Sequence, residues 1–317
     1  MKKQRRILFL TSVGVFLISS FLIVAYAIGY RLDFLENRLV KTGSLHIKVQ
    51  TNSAVFINDR NAGETSFIGN SFSKNNLLPR EYKIRIEKEG YYSWQKTVSI
   101  QGGLLSDFSS VFLIKKEPLI EIEKETETEI SSKSFEGTSV ADPSDVAKIA
   151  DVISLSPAKI KKAVKESGYF YVIADSNKKK SLYRVKDDFK ESELLTSSVE
   201  GFVFDYSKSK IAWFSKNELW VSWLRDTSYQ PIRKSGEKEL IVRTSKNIKN
   251  AQWHQTEEHI IFILEDEINF VELDGRNERN FLRVFQGTSL KDIYYDKNKE
   301  RLYVTTKNNK GNFWISF

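Results

Sequence analysis

"LLPREYKIRIEKEGYY", residues Leu77 to Tyr92, is the stretch on which the reading of this chain turns. Tyr82, Ile84 and Ile86 alternate with Lys83, Arg85 and Glu87, the period-two pattern of a strand with one buried face, and Pro79 and Gly90 punctuate its two ends. The same period recurs on both sides of it. Leu45, Ile47 and Val49 alternate with His46, Lys48 and Gln50, and Val55 and Ile57 continue up to Asn58-Asp59-Arg60-Asn61-Ala62-Gly63, a cluster with hairpin-turn chemistry. Further strands are predicted over Lys96 to Ile100 and Phe108 to Ile114, with Gly102-Gly103 between them. Each strand has one apolar face that a second sheet must cover, so residues 43–116 predict a small two-layer β-sandwich.

These residues resemble the PEGA domain family, a short β-sandwich of extracytoplasmic bacterial and archaeal proteins. The family opens with Gly-x-Leu-x-Ile, as in Gly43-Ser44-Leu45-His46-Ile47, and passes through an alanine into an apolar strand, a turn and Gly-x-Thr, here Ala54-Val55-Phe56-Ile57-Asn58 and Gly63-Glu64-Thr65. Its second half, Leu-x-Pro-Gly-x-Tyr followed by a strand and Gly-Tyr, is similar to Leu77-Leu78-Pro79-Arg80-Glu81-Tyr82 and Gly90-Tyr91. Two positions depart from the pattern: the naming tetrad is Thr51-Asn52-Ser53-Ala54, and Arg80 stands where the family has glycine. The resemblance implies the sandwich fold and an association with surface layers or cell walls.

Upstream, Ile7 to Tyr30 runs for 24 residues without a charge. As a helix it is roughly 36 Å long at about 1.5 Å per residue, against roughly 30 Å of hydrocarbon, so it can span. Lys2, Lys3, Arg5 and Arg6 precede it, whereas Arg31 and Arg38 beyond it are balanced by Asp33 and Glu36. Positive-inside bias then keeps residues 1–6 in the cytoplasm and sends everything after the helix across a cell membrane. A cleaved secretory peptide is the rival reading, because Ala25-Tyr26-Ala27 has the small-x-small form of a cleavage site. Both deliver the body of the protein to the same side. Residues 31–42 read as a juxtamembrane stalk.

Downstream the composition shifts. Residues 117–152 hold 10 acidic and 3 basic side chains, including Glu121 to Ile130 and then Ser131-Ser132-Lys133-Ser134, and read as an acidic linker or a charged β-edge. Residues 153–317 contain a repeat in which an apolar residue, a polar turn and an apolar strand follow one another, starting at Leu155, Phe204, Trp253 and Tyr295. The roughly 40 to 50 residues between starts match a four-stranded propeller blade. The repeats are similar to TolB-type and WD-like propeller units: Ser156-Pro157, Lys210-Ile211-Ala212-Trp213 and Glu272-Leu273-Asp274-Gly275 keep parts of their runs. Only about 25 residues follow the last start, which predicts three to four blades in a four-bladed or open array, completed by another chain or self-associating through its free edge.

The sequence offers little for catalysis. It has no cysteine, which removes disulfides and thiolate chemistry, and no Walker-type or nucleophile-elbow motif. Of the histidines His46, His254 and His259, the last two are too weakly spaced for a metal site and read as surface residues; Asp187-Asp188 and Asp205 read as turn acids. Trp213, Trp220, Trp223, Trp253 and Trp314 read as blade-core residues, while Tyr91, Tyr92 and Trp94 form an aromatic cluster able to stack on sugars or anchor a partner, or else to pack alternately into the sandwich. The net charge of +8 is half accounted for by the first six residues, so it points away from nucleic acid. The expectation is a mainly β, single-pass, N-in membrane protein that binds or scaffolds at the cell envelope without catalysis or cofactor. Its expected partners are the bilayer through residues 7–30 and envelope proteins or cell-wall polymers. A cell-wall glycan binder and an envelope hydrolase using carboxylates of the repeats are the alternatives.

Overall fold

The computed structural model describes residues 2–122, 139–176, 179–307 and 312–317. The chain divides into two compact units, Met1–Leu113 and Ile114–Phe317.

The first unit opens with helix α1 (Lys2–Ala27), whose segment Gln4–Ala27 is long and apolar enough to cross a membrane or to serve as a signal sequence. Where a stalk was expected, the chain forms an antiparallel hairpin, β1 (Tyr30–Asp33) with β2 (Arg38–Lys41). Three contacts hold it. Thr42 donates to the Gly29 carbonyl through both its backbone N–H (2.9 Å) and its hydroxyl (2.8 Å). Arg31 donates to the Tyr26 carbonyl at 2.7 Å and lies over the Tyr26 ring. Asp33, only 3% exposed, accepts from Arg80 at 2.7 Å and from the Leu35 N–H at 3.0 Å. Arg80 thus ties the turn before the central strand back to the hairpin, a role for the side chain that stands where the resembled family has none.

Beyond the hairpin lie β3 (Gly43–Val49), β4 (Ala54–Ile57), β5 (Arg60–Glu64), β6 (Ser71–Leu77), β7 (Glu81–Glu87), β8 (Trp94–Ser99) and β9 (Leu105–Val111). They form two sheets, ordered β6-β3-β9 and β5-β4-β7-β8, with β3 and β9 parallel. The sheets share one apolar core: Leu45, Ile47, Phe72 and Phe108 from the first meet Val55, Ile84, Ile86 and Val98 from the second. The opening stretch is β7, and its Ile84 and Ile86 are fully buried. Asn58 and Asp59, with φ of +50° and +60°, make the two-residue turn between Ile57 and Arg60 whose twist suits a hairpin. Gly43 is required by crowding, since a Cβ there would lie 2.4 Å from the Gln101 carbonyl oxygen. The tetrad closes on the Gly-x-Thr motif: Thr65 and Ser53 exchange backbone and hydroxyl hydrogen bonds at 2.9 Å, and Asn52 donates to the Thr65 carbonyl at 2.8 Å. Strand β6 escapes the sequence pattern because only Phe72 and Leu77 of its residues are buried, leaving no alternation to read.

Among the described residues the second unit has four sheets. The first is ordered β11-β12-β13-β14-β15, from β11 (Ser139–Val140), β12 (Ile160–Glu166), β13 (Tyr169–Ser176), β14 (Lys179–Lys186) and β15 (Ser192–Thr196). The second is β16 (Gly201–Phe204), β17 (Lys210–Phe214), β18 (Glu218–Trp223) and β19 (Lys238–Arg243); the third is β20 (Ile248–Trp253), β21 (His259–Leu264), β22 (Glu267–Glu272) and β23 (Phe281–Gln286). In the fourth, β24 (Leu290–Asp296), β25 (Arg301–Thr306) and β26 (Phe313–Ser316) are joined by β10 (Leu119–Ile122), which pairs antiparallel with β26. Neighbouring sheets share cores: Tyr171 and Leu182 pack with Phe202 and Trp213, and Phe214 and Val221 pack with Trp253 and Phe262. β17 and β21 are buried along their whole length, and strands covered on both faces read as apolar runs, here Ile211–Phe214 and Ile260–Leu264.

Within residues 117–152, expected to form an acidic linker or a charged β-edge, Leu119–Ile122 is a sheet edge, and helix α2 (Pro143–Val152) buries Ile149 and Ala150 against the first sheet. The remainder of the acidic run, residues 123–138, lies outside the described residues. In the fourth sheet β10 pairs with the edge of β26. Among the repeat starts, Phe204, Trp253 and Tyr295 end or nearly end β16, β20 and β24, which with β12 are the inner strands, those whose starts line one cavity; Leu155 precedes β12 and is out of register with them.

Burial alone would raise the Asp33 carboxyl, but the hydrogen bonds from Arg80 and the Leu35 N–H outweigh it and hold its pKa below the ordinary value. A depressed carboxyl stabilises above its unfolded pKa and loses that stability as pH falls through the folded one. Arg80→Ala therefore lowers the melting temperature of the first unit at pH 7, and the gap to wild type narrows below about pH 4; thermal unfolding across pH reads this. Replacing Leu119–Ile122 by a Gly-Ser tetrapeptide uncovers β26, which should lower the melting temperature of the second unit by about 5 °C or more and produce concentration-dependent oligomers. Unchanged melting and light scattering would contradict the pairing as a source of stability.

Candidate functional site

The inner strands of the four sheets repeat one short pattern: Ile160-Lys161-Lys162, Val199-Glu200-Gly201, Ile248-Lys249-Asn250 and Leu290-Lys291-Asp292. In three of them the register slips between the first and third residues, so Lys161, Lys249 and Lys291 are the extra residues of β-bulges. In the second sheet Gly201 faces Phe214 while the Glu200 N–H donates to the same Phe214 carbonyl at 2.7 Å, again two residues against one. A bulge re-aims the side chains at the strand entrance. The result is a cavity of about 380 Å³ lined by all four inner strands.

Its walls carry Lys162, Lys249 and Lys291, two carboxylates, Glu200 and Asp292, and the amides Asn250 and Gln252. Phe202, Phe214 and Ile173 supply apolar surface. Gly201 lets the Phe214 ring form a wall, since a Cβ would meet the ring at 2.9 Å. Several lining groups also join neighbouring sheets. Lys249 donates to Asp266 at 3.1 Å and to the Leu290 carbonyl at 2.9 Å, Asn250 donates to Asp292, and Glu200 pairs with Lys180 at 3.4 Å. The Lys162 amine sits 4.5 Å from the Phe202 ring centroid, and burial pushes its pKa down to about 8. With three amines against two carboxylates the lining is net positive, and its volume falls in the range of small-ligand sites.

At the other ends of the inner strands a second set of contacts draws the sheets together. The Tyr206 hydroxyl lies 3.2 Å from the carbonyls of both Trp253 and Tyr295, donating to one at a time, and Trp253 Nε1 donates to the Val203 carbonyl at 3.1 Å. Lys210, 2% exposed, meets Glu258 at 3.1 Å and Asp205 at 3.3 Å, and Tyr229 donates to Glu258. Burial disfavours the Lys210 charge, but Glu258 and Asp205 more than offset it and its pKa is raised. Burial also raises the Glu258 carboxyl, against the pull of Lys210 and Tyr229. A buried ion cluster of this kind fixes geometry more than it adds net stability.

The residues singled out from sequence are not gathered in one place. Asp205 is a turn acid, accepting from the N–H groups of Ser209 (2.7 Å) and Lys210 (2.9 Å), and Asp188 likewise accepts from the Lys190 N–H at 3.1 Å. His254 and His259 are core residues, 1% and 2% exposed, rather than the surface residues expected. Both approach the Thr256 hydroxyl, at 3.1 and 2.8 Å, and pack on Phe270; burial, followed by the neighbouring His259, holds His254 well below the usual histidine range. Trp213, Trp223, Trp253 and Trp314 are buried, and Trp220 stacks on Trp213. Trp94 belongs to β8 and packs edge-on against Phe108 in the sandwich core, Tyr91 packs against that core, and Tyr92 alone of the three is exposed. The cluster therefore presents no three-ring face. The cavity lysines escape a reading of the sequence because Lys249 and Lys291 each follow an apolar residue and Lys162 follows another lysine, positions that carry no signal alone.

No family model matches the chain, and no curated protein matches it. Among solved structures, the Myceliophteria thermophila Cps50 (Swd1) β-propeller domain aligns with a TM-score of 0.39 at 11% identity over 77% of this chain and 67% of that one. A protein of unknown function from Bacteroides thetaiotaomicron aligns with a TM-score of 0.38 at 13% identity over 84% of this chain and 62% of its own, and Kluyveromyces lactis Hsv2 with 0.29 at 10% over 75% and 62%. The chain thus spans less than two thirds of the last two.

Trp94→Ala empties a buried site and should cost about 3–5 kcal/mol, whereas Tyr92→Ala should stay within about 0.5 kcal/mol. Denaturant unfolding of both variants checks the assignment, and equal effects would contradict it.

Proposed function

We propose that this chain is a membrane-anchored, extracytoplasmic binding protein of the cell envelope that holds an anionic group of a cell-wall polymer in the cavity of its second unit. α1 serves as an uncleaved anchor with its basic end in the cytoplasm, and the two-sheet module of the first unit is a PEGA-like sandwich. The second unit is a four-bladed propeller in which β10 supplies the outer strand of the last blade. The helical state of residues 25–27 and the grip of Arg31 on Tyr26 support anchor over cleavage.

The observation that carries the binding reading is the convergence of Lys162, Lys249 and Lys291 from three inner strands on one cavity. Amines held on a rigid β-framework are pre-ordered for a carboxylate or phosphate, so less conformational entropy is lost on binding. The neighbouring amides can bond the same ligand's hydroxyls. Catalysis has no part in this reading.

The purified full chain in detergent should co-sediment with purified wall material. Lys162→Met with Lys291→Met should weaken this at least about tenfold, the cost of roughly 1.4 kcal/mol of lost attraction. Because Lys162 is charged below about pH 8 and neutral above, binding should weaken as pH rises through that value. Co-sedimentation unaffected by the double variant would overturn the cavity as the site. Retention of envelope proteins after wall digestion, with no sedimentation on wall material, would favour a protein scaffold instead.

A further inference from the structure

We propose that the β1–β2 hairpin is a second membrane contact, lying with one face in the headgroup layer of the bilayer that holds α1; this rests on the anchor reading. Leu32 and Leu39 are cross-strand partners and share a face of the hairpin, the one opposite Asp33 and Val40, which are buried. At the tip Phe34 and Leu35 are 84% and 82% exposed, and Leu32 and Leu39 are about half exposed. Four large exposed apolar side chains within residues 32–39 are more than the scattered single exposures of an ordinary surface.

Continuity with α1 identifies what covers it. Counting about 20 residues from Ile7 for roughly 30 Å of hydrocarbon brings the far boundary of the core to about Ala27, and the headgroup layer extends several ångströms further. β1 begins at Tyr30, three residues on, inside that layer. The hairpin is not free to swing away. Arg31 grips the end of the helix, the Gly29 carbonyl accepts two hydrogen bonds from Thr42, and Asp33 is held by Arg80 of the sandwich. Tyr26 and Tyr30 at the junction and Arg38 and Lys41 on β2 are the residue types that settle at a lipid interface.

The chain has no cysteine, so single cysteines can be labelled with an environment-sensitive fluorophore in the full-length protein reconstituted in vesicles of phosphatidylcholine and phosphatidylglycerol. Leu35→Cys reports the hairpin tip and Val15→Cys the middle of α1. Ile68→Cys is an equally exposed apolar control, since the β3–β6 pairing places the β5–β6 loop at the opposite end of β3 from Gly43. The label at 35 should shift to the blue and lose most of its emission to lipids carrying a nitroxide near the headgroup, that at 15 should be quenched by mid-chain nitroxide, and that at 68 should respond to neither. If 15 is quenched while 35 behaves like 68, the hairpin proposal fails and the anchor stands. If 15 is not quenched, the anchor itself fails and the hairpin proposal falls with it.

Discussion

The pairing of Leu119–Ile122 with Phe313–Ser316 is the constraint on which the second unit depends. An uncovered sheet edge is a row of unpaired backbone groups. Here the strand that covers β26 comes from the beginning of the same unit, so the two strands are joined by a ladder of backbone hydrogen bonds. Glu121 lies on this outermost strand, all four residues of which are exposed, and a charge on an exposed edge discourages further pairing.

Inside that frame the inner strands do two jobs at opposite ends. At their starts, where three of the four carry a bulge, they line a common cavity; at their ends, Tyr206, Trp253 and the Lys210 cluster cross-link one sheet to the next. Lys249 and Asn250 belong to both, since they line the cavity and bond to the neighbouring strand. A site built this way is held by the same hydrogen bonds that set the angle between sheets, which keeps its amines in place without loops.

The first unit shows how one side chain in a turn can serve a distant element: Arg80, in the turn before β7, reaches Asp33 and holds the β1–β2 hairpin. The contact is between residues 47 positions apart, so the turn read by itself does not reveal it.

By itself the sequence determined what local periodicity and punctuation encode. Period-two strands from Leu45 to Val98, the turn cluster Asn58 to Gly63 and the long apolar helix follow from residues a few positions apart, and the recurrence at Phe204, Trp253 and Tyr295 from comparing such short runs along the chain. Tertiary structure alone decided the features that join distant residues: the outer strand β10, its pairing with β26, the burial of Trp94, His254 and His259, and the convergence of lysines on one cavity. Burial depends on which face another element covers, and a charged side chain after an apolar one reads the same in a loop as in a bulge until the opposing strand fixes which way it points.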